Sequence, residues 1–250
     1  MNPASPLDNV RIVLSHTSHP GNIGAAARAM KTMGLKKLYL INPVSFPDKE
    51  AEARSAGAWN ILNEAVVCSR LGEALQGTTL AAAITARPRN LSHEVADSRQ
   101  GAVELLEHAF HHQAALVFGT EMSGLTTAEI SKCQMIIHIP ADPDYSSLNL
   151  ASAVQVMAYE LRMALLAGDE NRIPPARSNP PATFDEIEFF YQHLEQGMIC
   201  SGFLDPAEPK RLMQRIRRLF ARARLEKEEV NILRGIARHM AGRRQRTDGE

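Results

Sequence analysis

The sequence predicts an α/β domain on a mostly parallel sheet, followed by a small helical extension. Up to about residue 167, short apolar runs alternate with helix-like segments. The runs are continuous and rich in Val, Ile and Leu, which suits strands buried on both faces of a parallel sheet. A polar, proline-rich stretch then breaks the pattern, and only helical segments follow it. Strand–helix alternation of this kind places the first part among α/β folds.

The strand candidates are residues 10–15, 37–41, 65–68, 80–85, 114–118 and 135–139, with helices such as 23–33 and 100–112 between them. A long helix over 148–167 closes this domain, taken as 1–167. Residues 168–182 read GDENRIPPARSNPPA. Paired prolines cannot sit inside a helix, so this is a linker. The extension, 183–250, holds helix candidates at 184–197, 208–225 and 228–240, with Asp205 or Glu208 starting the second and Gly242 stopping the third.

The 250 residues carry 28 basic and 28 acidic side chains, so net charge is zero and any nucleic-acid affinity must be local. The basic region is residues 210–246. On its middle helix, Leu212, Ile216, Leu219 and Ala223 form a buried seam at i, i+4, i+7 and i+11. Arg211, Arg215, Arg218 and Arg222 repeat at the same spacing beside it. Such a stripe suits a phosphate backbone; a solvated face with intrahelical ion pairs is the plainer reading. The 3 cysteines, Cys68, Cys133 and Cys200, are far apart with no C-x-x-C pair, which argues for reduced thiols and against zinc or a disulfide framework. The N-terminus has no signal-peptide pattern, and no apolar run approaches membrane-spanning length, so a cytoplasmic location is expected.

Three segments concentrate chemistry at strand ends. GNIGAAARAMKTMGL (21–35) places Asn22 and Arg28 among small residues, with Gly21 and Gly24 allowing a tight turn and close approach. It lacks the third glycine of a dinucleotide site, and a plain strand–helix turn has the same form. ALVFGTEMSGL (114–125) ends a strand at Gly119 and follows it with Glu121 and Gly124. Ligands in open α/β sheets bind at such carboxyl ends, although Glu121 could equally cap a helix near Thr126 or Thr127. IHIPADPDYSSLNLASAVQVMAYELR (137–162) crowds Tyr145, Ser146, Ser147 and Asn149 at a helix entrance. One serine can cap that helix, which leaves the others for a ligand. A weaker feature, TARPR (85–89), puts Arg87 and Arg89 in a loop at the same sheet edge. No Walker A, H-E-x-x-H or G-x-S-x-G pattern is present, and no histidine group has metal-ligand spacing.

Together these segments resemble the signature motifs of the SPOUT superfamily, in its TrmH-like ribose 2′-O-methyltransferase branch. The resemblance rests on Asn22, Gly24, Arg28 and Gly34, on Gly119, Glu121, Gly124 and Leu125, and on S-L-N-L-A-x-A-V from Ser147 to Val154. It implies a C-terminal trefoil knot, although general rules make knots very rare. It implies S-adenosylmethionine as cofactor, bound by Ile84, Thr85, Ala86, Gly119, Ile139, Ser146, Ser147 and Leu148. It implies catalytic roles for Arg28, Glu121, Ser147, Asn149 and Asn22; Arg28, the loop arginines Arg87 and Arg89 and the arginine stripe are the candidates for RNA contact. It implies a homodimer joined through the first and last helices of the domain, where the alanines near Ala26 and Ala29 suit close approach. The substrate implied is tRNA, at a cytidine or uridine in position 32 of the anticodon loop. The alternatives are ribose methylation of rRNA and a non-catalytic RNA-binding dimer. A nicotinamide-dependent dehydrogenase is remote without G-x-G-x-x-G.

Overall fold

The computed structural model describes residues 5–86, 95–168 and 179–242. Its chain divides into two compact units, one up to residue 176 and one from 177 onward. After a 3₁₀ turn (Pro6–Asn9), the first unit runs β1 (Val10–Ser15), α1 (Pro20–Met33), β2 (Lys37–Ile41), α2 (Lys49–Ser55), α3 (Trp59–Asn63), β3 (Val66–Cys68), α4 (Leu71–Leu75), β4 (Leu80–Ile84), β5 (Val95–Asp97), α5 (Ser98–Ala109), β6 (Ala114–Phe118), α6 (Thr127–Ile130), β7 (Met135–His138) and α7 (Leu150–Ala167). The strands form one sheet in the order β3-β2-β1-β6-β4-β7-β5, with every pairing parallel. β4 and β6 are buried along their whole length, as continuous apolar strands covered on both faces must be.

The middle of this sheet positions the site. β4 pairs with β6 on one side and β7 on the other, so three parallel strands end side by side. β7 also pairs with β5. It therefore lies between two strands that are consecutive in the chain. β5 escaped the sequence reading because it is only three residues long and leaves Val95 exposed, too little for a period-2 or apolar-run signal.

α1 begins at Pro20, earlier than expected, because proline at the first helical position is already set for helix and lacks only an N–H the helix would not use. Gly21 and Gly24 are thus inside the helix, not in a turn. Gly24 serves close approach: a Cβ there would lie 2.0 Å from the carbonyl oxygen of Ala51 on α2. Gly34 ends α1 in the left-handed conformation (φ 91°) that favours glycine. Ala26 and Ala29 are buried in this unit's own core. They are therefore not the dimer face expected for them; the small-residue side of α1 is already used within the chain.

α7 is long and apolar enough to cross a membrane by length and composition, with mean hydropathy 1.3 over its 18 residues, although Gln155, Glu160 and Arg162 interrupt its apolar residues. Val154, Met157, Ala158 and Leu161 nevertheless sit in the core, and Glu160 pairs with Arg99 on α5.

The second unit packs α8 (Phe184–Cys200), α9 (Leu212–Ala223) and α10 (Lys227–Gly242) around Phe190, Tyr191, Leu225 and Val230. The end of the expected linker belongs to it: Ala182 is buried, its N–H bonds Leu225 O, and Lys227 N–H bonds Pro180 O. α9 starts at Leu212, not near Asp205 or Glu208, because Pro209 and a left-handed Lys210 (φ 46°) interrupt the chain. Its seam also differs. Leu219 and Ala223 are exposed, while Met213, Ile216 and Phe220 face the core. Phe220 makes ring contacts with Phe190 and Tyr191, and burying that aromatic surface outweighs the leucine register.

Gly24→Ala should destabilise the first unit by about 3 kcal/mol or more, since the added methyl meets backbone and not a yielding side chain. Urea denaturation of the full chain checks this, and an unchanged midpoint would refute it.

Candidate functional site

The loops leaving β4, β6 and β7 converge on one cavity of about 290 Å³. Ile84, Thr85 and Ala86 form one side, the segment from Gly119 to Leu125 a second, and Ile139 with residues 144–148 the third. Leu150 and Ala153 on the first turn of α7 close its floor. The structure thus brings together all of Ile84, Thr85, Ala86, Gly119, Ile139, Ser146, Ser147 and Leu148. The sequence reading missed Thr120, Asp144, Leu150 and Ala153 as lining residues. Ala153 lies one helical turn after Leu150, and that spacing was the available signal.

The Gly119 loop is closed on itself. Thr120 and Gly124 form an isolated bridge, and the Thr120 and Ser123 hydroxyls lie 2.8 Å apart. A Cβ on Gly119 would meet the Gly124 carbonyl carbon at 2.1 Å, so only glycine permits this ring. α6 behind it is held by a capping box of Thr126 and Glu129, and the other oxygen of Glu129 accepts from the buried Ser15 hydroxyl at the end of β1.

A hydrogen-bonded relay joins the cavity to two helix N-termini. His19, the N-cap of α1, makes no side-chain cap bond. The carboxylate of Glu121, in the loop after the neighbouring strand β6, instead holds the residues that lead into the helix. It accepts from the Ser18 amide (3.1 Å) and hydroxyl (2.9 Å), the His19 amide (3.3 Å) and Asn22 Nδ2 (2.9 Å). Asn22 Oδ1 in turn accepts from Asn149 Nδ2 at 3.0 Å. Asn149 Oδ1 caps α7 by accepting from the amides of Ala151 and Ser152. Burial alone would raise the Glu121 pKa. The bonds from Asn22 and Ser18 outweigh it and hold the carboxyl down to about 2, and the positive end of α1 acts in the same direction.

Two expectations about caps are corrected here. Glu121 bonds the chain just ahead of α1 and not the helix near Thr126, where the closer Glu129 completes a capping box. Asn149, not a serine, caps α7. The hydroxyls of Ser146 and Ser147 make no hydrogen bond among the described residues, so both remain available at the cavity wall. Arg28 is exposed on α1, and its side chain has no partner among the described residues; it does not line the cavity. Arg87 and Arg89 lie outside the described residues. In the second unit, Arg211, Arg215 and Arg222 are exposed and Arg218 half-buried. None of the four is ion-paired among the described residues. Arg217, outside the stripe, is instead committed to structure: it pairs with Glu188 (2.9 Å for Nη2) and lies over the Tyr191 ring. No group of three or more His, Cys, Asp or Glu suited to a metal occurs among the described residues. Burial pushes the Cys133 thiol up to about 12, which leaves it unreactive.

Comparison with known proteins gives concordant matches. A model of the SpoU rRNA methylase family matches residues 9–159, and a model of the tRNA methyltransferase TrmJ C-terminal domain matches 185–250. A tRNA (cytidine/uridine-2′-O-)-methyltransferase TrmJ of Pectobacterium atrosepticum is 49% identical, the match covering 92% of this chain and 95% of the relative. A tRNA (cytidine/uridine/adenosine-2′-O-)-methyltransferase TrmJ of Pseudomonas aeruginosa is also 49% identical, over 92% and 93%. The crystal structure of TrmJ from Z. mobilis ZM4 superposes with a TM-score of 0.81 at 30% identity, covering 92% of this chain and 98% of that one.

Glu121→Gln should lower stability at neutral pH and flatten its acid dependence. A carboxyl held at about 2 instead of its ordinary 4.5 adds stability that is complete above pH 4.5 and fades as pH falls towards 2. Chemical denaturation from pH 7 to pH 3 should show a shallower acid slope in the variant; parallel curves would remove the proposed source of the shift.

Proposed function

The chain belongs to the SpoU methylase family, and on that premise we propose that it methylates a ribose 2′-hydroxyl of tRNA using S-adenosylmethionine. The observation that carries this reading is the meeting of three strand-end loops on one cavity, locked to α1 and α7 by the relay through Glu121, Asn22 and Asn149. The residues present fit the cofactor. Ile84, Ile139 and Leu150 offer a buried apolar wall for an adenine, and the loops at 84–86, 119–124 and 144–148 offer main-chain and hydroxyl groups. Glu121 and Asp144 put negative charge where a sulfonium would be welcome. When bound, the cofactor supplies an activated methyl group and its own leaving group.

The chain supplies alignment and charge. A ribose hydroxyl becomes a competent nucleophile as its proton is shared or lost. Arg28 does not take that proton, because a guanidinium stays charged in proteins. It stabilises the developing alkoxide and grips a neighbouring phosphate. Its exposure and lack of a partner among the described residues suit that task, and it stands less than two turns beyond Asn22 on the same helix. Ser147, with a free hydroxyl on the cavity wall, contacts cofactor or ribose. Glu121, Asn22 and Asn149 are engaged with one another and with helix ends, so their part is to hold the loops in register. Thus Arg28 and Ser147 are the residues placed on the reactants.

Several finer features belong to the same reading. The target is the cytidine or uridine at position 32. A C-terminal trefoil knot belongs to it too, and the position of β7 between the sequence neighbours β4 and β5 supports it. The partner in a homodimer is a second α7, on which Tyr159, Met163 and Leu166 form an exposed apolar stripe. The second unit binds tRNA through Arg211, Arg215, Arg218 and Arg222, and the protein works in the cytoplasm with its substrate.

Arg28→Ala should lower kcat by about a hundredfold or more, as loss of a transition-state donor does, while calorimetric S-adenosylmethionine binding is kept. Arg28→Lys should recover only part, since an ammonium lacks the guanidinium fork. Equal turnover of Arg28→Ala and parent on purified tRNA would defeat the assignment, and methylation of rRNA alone would replace the substrate. Changing Arg211, Arg215 and Arg222 together to Gln should weaken tRNA binding and flatten its salt dependence, by up to about one unit of log–log slope for each phosphate no longer neutralised. An unaltered slope would remove the stripe from the interface.

A further inference from the structure

The second unit carries a surface cluster that neither its core nor the arginine stripe accounts for. Phe189 on α8 is 48% exposed. The guanidinium of Arg234 on α10 lies over its ring, 4.9 Å from the centroid. His193, one turn along α8, meets the same ring edge-on at 4.7 Å. Arg234 Nε and His193 Nδ1 are covered yet have no hydrogen-bond partner among the described residues, and no carboxylate pairs with Arg234 there. An unneutralised cation is therefore held against a half-open aromatic face.

Next to Arg234 stands Gly235, inside a helix where glycine costs stability relative to alanine. Gly197 on α8 shows what such a glycine normally does: its absent Cβ would lie 2.8 Å from Ala237 O, so it lets the two helices cross. Gly235 has no such use, because a Cβ there meets nothing within 4 Å. Its bareness serves nothing inside the unit. Arg238, one turn beyond Arg234, is also exposed.

We infer that Phe189, Arg234 and His193 form a stacking platform for an unpaired nucleobase of the RNA substrate, with the sugar–phosphate chain passing close over Gly235 and against Arg238. The inference rests on the tRNA reading above. A flat ring backed by a guanidinium is the surface on which bases of any identity stack. Only an unpaired nucleotide presents such a face, so a loop and not a stem is the occupant. An acidic peptide would neutralise Arg234 but would leave the open ring and the bare helix surface unused.

The test uses the full-length protein and a tRNA carrying 2-aminopurine in its anticodon loop. With the parent, binding should quench the fluorophore beyond its free value. Phe189→Leu keeps apolar bulk but loses the π face; it should bind about tenfold more weakly, without the quench, and raise KM while kcat at saturating tRNA holds. Phe189→Trp should keep both affinity and quench. Gly235→Ala should raise the Tm, because the helix gains a better former into empty space, and yet bind tRNA several-fold more weakly. That opposed pair is one a purely structural role would not produce. If Phe189→Leu and Gly235→Ala titrate like a parent that methylates tRNA, the platform is wrong and the function stands. A parent that neither binds nor methylates tRNA overturns the underlying reading, and the platform with it.

Discussion

The bond between the Glu121 carboxylate and the first turn of α1 is the constraint on which the site depends. Without it, the residues entering α1 would lose their acceptor, since the Ser18 and His19 amides both bond this carboxylate. With it, the loop after β6 is tied to the helix after β1, and through Asn22 to the entrance of α7. Three segments far apart in sequence are fixed to one another by side chains, of which Glu121 also holds the entrance of α1 and Asn149 caps α7. Helix-end N–H groups left unpaired in a partly buried setting are costly. The fold's need to satisfy them and the site's need for rigidity are met by the same residues.

On the proposed reading, this division of labour separates holding residues from contacting ones within the motifs. Residues that stand out as polar groups at a strand end are most simply taken as reactant contacts. Here Glu121, Asn22 and Asn149 are occupied by the backbone and by each other, whereas Ser147 and Arg28 keep free polar groups. A lowered pKa at Glu121 has the same origin: it reflects donors from α1, not tuning for proton transfer. A carboxyl at about 2 has little tendency to accept a proton near neutrality, so proton movement in the reaction falls to other groups or to solvent.

Much of the first unit was legible in the sequence because buried parallel strands write continuous apolar runs. β1, β2 and β6 begin and end where those runs do. Three-residue β5 and the five-residue α3 and α4 were not legible, being shorter than the windows in which periodicity speaks. The cavity residues could be named because the motifs there carry a family resemblance. What each polar group does could not, because the bond from the Ser18 amide to Glu121 spans about a hundred residues of chain. Local capping rules see only i to i+3. The α9 seam failed for a related reason: two apolar rows overlap on that helix, and the choice between them was made by Phe190 and Tyr191 on another element.

The placement of β7 has a consequence for how the protein comes into being on the ribosome. β4 and β5 are made first, and the strand that joins them, residues 135–138, is synthesised later. Through that interval β4 has one unpaired edge, and β5, which pairs with β7 alone, has no sheet partner at all. Such edges recruit any extended segment nearby, and contacts so distant in sequence form slowly. The last strand to arrive is the one that brings β5 into the sheet, so translation order itself becomes part of how this sheet is assembled.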